Sequence, residues 1–161
     1  AESSASVVGP SLQAGRRSLH ASERGQAISS PDSAYRILGP ALRGQVDEEL
    51  HGLFLDRRRR LVAHRVLTRG SDAFTVVDPR QVFRVAVQTG ACAIVLGHNH
   101  PSDDPTPSTQ DREVTHRVAT AGRMLGVGLL DHLVIGGDRY VSLAQEGLIP
   151  AWRDADACWT A

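Results

Sequence analysis

Two histidines separated by one residue, His98 and His100, precede a proline-rich loop, and a serine and an aspartate, Ser108 and Asp111, follow it three residues apart. Two imidazoles and a carboxylate make a ligand set suited to a divalent cation, zinc above all. Three protein ligands leave a fourth position for water, which separates a catalytic zinc site from a closed structural one. In extended backbone, side chains at i and i+2 point the same way, so His98 and His100 project together. Ser108 reads as the N-cap of a helix and sets Asp111 in its first turn, at the positive end of the helix dipole. Ser-x-x-Asp alone is close to a capping box, and His-x-His alone is often incidental. Their combination at a strand-to-helix junction favours a metal site with ligands His98, His100 and Asp111.

Other metal motifs are excluded by residue type. His-Glu-x-x-His is absent, and so is the Cys-x-x-Cys arm of the zinc deaminases. A two-metal His-x-His-x-Asp-His pattern would need aspartate at Ser102 and histidine at Asp103. A barrel hydrolase with His-x-His on its first strand would need roughly 250 residues, and this chain has 161.

The elements that must carry these residues follow from pattern. Residues 1–30 are rich in Ser, Ala and Gly without an apolar period, which predicts a flexible N-terminal arm. A helix capped by Ser30 or Asp32 presents Ala34, Ile37, Leu38 and Leu42. Leu50–Leu55 and Leu61–Leu67 read as strands of a hairpin, with Asp56–Arg60 as its turn. Pro79 opens a helix with Val82, Phe83, Ala86 and Val87 on one side. Cys92–Leu96 is a short strand ended by Gly97, and Cys92 reads as an inert buried thiol. A helix from Ser108 to about Leu125 has Val114, Val118 and Leu125 on its apolar side. Val127–Ile135 and Tyr140–Leu143 close the sheet, and residues 144–148 form a last turn. Residues 150–161 read as a tail with Trp152 and Trp159, either packed or touching a partner. The domain proper is then 31–149, an α/β unit with a mixed sheet flanked by helices.

Composition narrows the class. Lys+Arg and Asp+Glu balance at 18 each, so overall charge does not favour nucleic acid. The run Arg57–Arg60 could touch phosphates, but a solvated turn is the simpler reading. Aromatics make up 4% of the chain, which leaves the core to Leu, Val, Ile and Ala. Two cysteines build neither a disulfide framework nor a cysteine-based zinc site. No apolar run approaches the roughly 18 residues of a membrane span, and no signal-peptide order opens the sequence. A cytoplasmic protein is expected.

His98, His100, Ser108 and Asp111 fit the JAMM (MPN+) metalloprotease motif without a gap. The sequence most resembles the RadC-like JAB group of that superfamily. His98-Asn99-His100-Pro101-Ser102, Asp131-His132, Tyr140-Val141-Ser142, Leu53–Asp56 and Asp78-Pro79-Arg80 carry the similarity, which covers about residues 31–149. Asp103 stands where the group usually has glycine. The helix-hairpin-helix region of full-length RadC proteins has no counterpart in these residues. The resemblance implies a JAB/MPN (cytidine deaminase-like) fold and zinc-dependent hydrolysis of an amide or isopeptide bond in a protein or peptide substrate. It also implies an upstream glutamate base, eight residues before Asp56, which is Glu48. Glu49 is the rival, and Glu48 is preferred because Leu50 then takes the apolar place two residues on. Zinc would activate water, Glu48 would move its proton, and Ser108 would donate to the oxyanion. Asp131 and His132 are expected to make structural hydrogen bonds, while His51, His64 and His116 stay unassigned. A DNA-associated accessory module without protease activity is the alternative, suggested by the link of RadC proteins to DNA repair. A metal-bound but catalytically silent interaction domain is a third reading.

Overall fold

A computed structural model describes residues 23–70 and 77–150. Trp152 and Trp159, most of the expected tail and residues 1–22 of the expected arm lie outside them. The chain runs α1 (Pro31–Leu42), β1 (Glu49–Leu55), β2 (Leu61–Arg69), α2 (Pro79–Thr89), β3 (Ala93–Asn99), α3 (Thr109–Leu125), β4 (Gly128–Gly136), β5 (Arg139–Ser142). The sheet order is β2-β1-β3-β4-β5. Among the described residues, only β3 and β4 are parallel, joined through α3, and the other pairs are antiparallel. This is a mixed sheet flanked by helices, the JAB/MPN architecture.

Every residue of β1 and of β3 is buried, because helices cover both faces of the sheet. On one face Leu50, Phe54, Ile94 and Leu96 pack with Val82, Phe83, Val114 and Val118 of α2 and α3. On the other, Leu53, Val95, Leu133 and Ile135 pack with Ala34, Leu38 and Leu42 of α1. Ser30 caps α1, and Pro40 inside this helix does not end it before Leu42.

Several expectations shift. β3 runs on through His98 to Asn99, since both stay paired with β4 opposite Val134 and Ile135. Residues 25–28 hold the hairpin turn: Gly25 and Ile28 donate to Leu61 and Arg59 carbonyls, and Ile28 is fully buried. That part of the expected arm therefore belongs to the packed body. Val87 is 72% exposed and Leu125 57% exposed, so neither joins the core. Val87 lies beyond the edge of the α2 stripe, and Leu125 is the last residue of α3. Cys92 is partly exposed rather than buried. Among the described residues, no helix is long and apolar enough to cross a membrane.

Candidate metal centre

The site forms where β3 ends and α3 begins, beside the parallel β3–β4 pair. Open sheets bind ligands at this kind of place, outside the carboxyl ends of strands. His98 is the penultimate residue of β3, opposite Leu50 of β1. Ser108 caps α3 with a full capping box: its Oγ accepts from the Asp111 N–H, and its own N–H donates to Asp111 Oδ2 at 2.7 Å. The cap uses a lone pair of Oγ, so it leaves the hydroxyl proton available. The Asp111 carboxylate thus serves the cap and also faces the histidines.

His98 Nε2 and His100 Nε2 are 3.0 Å apart. Asp111 Oδ1 is 3.1 Å from the first and Oδ2 is 3.2 Å from the second. Glu48 Oε1 stands 3.9 Å from both imidazole nitrogens. One ligand atom from each of Glu48, His98, His100 and Asp111 lies within 4.8 Å of the others, so this group could hold a metal ion.

Donor chemistry fits a cation. His100 Nδ1 is 2.7 Å from the Asp104 carbonyl oxygen, which can only accept, so Nδ1 carries a proton. In the neutral ring, Nε2 then offers its lone pair towards Asp111 and His98. Tetrahedral zinc at its usual bond lengths would space its ligands by about 3.3 Å, close to the separations here.

Electrostatics lean the same way. Burial alone would raise the Asp111 carboxyl, but the adjacent His100 and His98 rings outweigh it and hold the group far below the usual carboxylate range. The bond to Asp111 lifts His100, against burial, while burial pushes His98 down. Burial raises the Glu48 carboxyl above its ordinary value.

Glu48 and Glu49 part at the start of β1. Glu49 is 4% exposed, on the opposite side of the strand, with Arg69 Nε at 2.7 Å and His51 Nε2 at 2.8 Å. It is a buried, paired carboxylate, not a solvated one. His51 Nδ1 lies 2.9 Å from His64 Nε2, which places these two histidines in the same buried chain. His116 is exposed on α3.

Asn99 was not singled out from sequence. Its Oδ1 accepts from the Glu49 N–H at 2.8 Å, and its Nδ2 donates to the Asp47 carbonyl at 3.0 Å. The side chain thus brackets Glu48 on both sides. A polar residue between two candidate ligands, on a strand otherwise apolar, was the available signal.

The loop from Pro101 to Pro107 is held by close backbone approach. Asp103 adopts φ 65°, the left-handed region, which accounts for glycine being usual there in the resembling group. Aspartate tolerates that region better than most residues. A Cβ on Gly136 would lie 2.6 Å from Pro105 N and 2.7 Å from Asp103 O, so only glycine lets this loop settle on the end of β4. Asp131 accepts from the His132 N–H and Ser142 Oγ, and it ties β4 to the turn after β5.

The profile of the RadC-like JAB domain matches residues 28–148. The chain belongs to that family. A UPF0758 protein from Xanthomonas campestris is 44% identical over 137 residues, 85% of this chain and 61% of its own length. One from Listeria welshimeri is 37% identical over 144 residues, 89% and 64%. One from Methanosarcina mazei is 39% identical over 122 residues, 76% and 53%. The chain spans a little over half to just under two thirds of these relatives, and their name states no activity.

Proposed function

We propose that this domain is a zinc-dependent hydrolase of the JAMM type, acting on an amide or isopeptide bond. The convergence of Glu48, His98, His100 and Asp111 at the end of β3 is the observation that carries this reading. His98, His100 and Asp111 would hold the ion. When bound, zinc lowers the pKa of its water towards about 7 and polarises the scissile carbonyl. Glu48 takes the proton of the attacking water and delivers it to the leaving amine, a role that its raised carboxyl supports. The proton that Ser108 keeps beyond its cap can be donated to the oxyanion. A protein or peptide is the substrate class, and the cytoplasm is the proposed compartment.

Zinc content after reconstitution and gel filtration tests the first half of this proposal. About one zinc per chain is expected, with loss in His98→Ala and Asp111→Ala at retained fold. A folded wild-type chain that takes up no zinc would overturn it.

A further inference from the structure

His132 and Thr115 are fully buried beside the site, and neither is among the four clustered residues. Thr115 Oγ1 is 2.6 Å from the Asp111 backbone carbonyl. That oxygen can only accept, so the threonine proton lies between them. Thr115 Oγ1 is also 2.6 Å from His132 Nδ1. With its proton committed, the hydroxyl can only accept there, so His132 carries its proton on Nδ1. Both rings are fully buried, and a neutral imidazole carries one ring proton and one lone pair. His132 Nε2 is therefore a lone pair, and it lies 2.8 Å from His98 Nδ1. His98 must place its single ring proton on Nδ1. Its Nε2 is left as a lone pair facing His100 and Asp111.

We propose that Thr115 and His132 are positioning residues that decide which ring nitrogen of His98 carries the proton, and so present its Nε2 lone pair to a divalent cation. The chain of bonds begins at the backbone of Asp111 and ends at the ring facing the Asp111 side chain. One turn of α3 thereby dictates the ligand state of a histidine on β3. The inference rests on reading the cluster as a zinc site, and it needs no hydrolytic activity for its test.

The measurement is zinc affinity by competition with a chromophoric chelator, alongside circular dichroism and melting of the metal-free chains. Thr115→Val keeps shape but removes the acceptor, which frees His132 to turn its proton towards His98. Zinc affinity should fall by about 10–100-fold, the usual cost of losing an outer partner of a metal-bound histidine. Thr115→Ser retains the hydroxyl and should restore near wild-type affinity. His132→Gln offers an amide oxygen that accepts from His98 without help from Thr115. It should bind zinc well, and Thr115→Val added to it should change little. Wild-type affinity in Thr115→Val, equal loss in Thr115→Ser, or loss in His132→Gln would overturn the inference while leaving the zinc site standing. No zinc binding by the wild-type chain would overturn both.

Discussion

Glu48 and Glu49 are identical in chemistry and adjacent in sequence, and their surroundings give them different work. Glu48 keeps partial exposure beside the two imidazoles, whereas Glu49 is closed in by Arg69 and His51. Glu48→Gln keeps shape and polarity but cannot accept the proton of water. It should retain zinc and lose about 10²–10⁴-fold in turnover, once a peptide or isopeptide substrate is in hand. Glu49→Gln should leave zinc affinity and turnover nearly unchanged and lower stability by about 1–3 kcal/mol, because it weakens a buried charged hydrogen-bond network. Asn99→Ala removes the bracket around Glu48 and should follow Glu48→Gln in turnover while keeping its zinc. Full turnover in Glu48→Gln, measured beside Glu49→Gln, would remove the proposed base.

At the scale of elements, the site depends on how a loop is seated between β3 and α3. Gly136 on β4 lets Asp103 and Pro105 approach its backbone closely enough to exclude a methyl group. Gly136→Ala should push this loop outward, cost about 1–3 kcal/mol as overpacking does, and weaken zinc binding through the displaced His100. Equal zinc affinity in the folded variant would show that the loop position is irrelevant to the ligands. The hairpin between β1 and β2 is a separate matter. Asp56 Oδ1 accepts from the Arg58 and Arg60 N–H groups, and the Arg60 side chain reaches the Gly25 carbonyl. The arginine run is thus a built turn. Replacing Arg57–Arg60 with serine should leave any affinity for DNA unchanged. Steep, salt-dependent binding to duplex DNA that collapses in this variant would favour the accessory-module reading.

For the whole molecule, the proposed metal ligands join a central strand to the helix that crosses over to the next strand. A cation held by His98, His100 and Asp111 would therefore tie β3 to α3, and binding only the folded chain stabilises it by mass action. At free zinc about 100-fold above its dissociation constant, linkage adds about 2.7 kcal/mol. The melting temperature should rise with zinc, return with chelator, and stay fixed in His98→Ala. A wild-type chain that binds zinc without any rise in melting temperature would contradict this coupling.

Much of this was legible from residues alone. His98, His100, Ser108 and Asp111 could be read from ligand type and local spacing, because a cap and an i, i+2 pair are set by neighbours along the chain. The strands and helices followed from runs of Leu, Val and Ile between turn residues, with ends shifted by a residue or a few. Other features needed distant chain brought together. The spacing to Asp56 and the place of Leu50 favour Glu48 over Glu49, and packing against Asn99, Arg69 and His51 sets their surroundings apart. A structural hydrogen bond of His132 is expected from sequence, but its partner Thr115, 17 positions earlier and 2.6 Å away, is fixed only by packing. Residues 25–28 had no apolar period, yet backbone bonds to the hairpin turn and the burial of Ile28 place them in the body. Local sequence determines capping, turns and the ligand pair, because those interactions span only a few bonds. Which side chain is buried, which ring nitrogen holds a proton and which carboxylate meets the site are set by contacts between strands and helices far apart in sequence, and these exist only once the sheet has formed.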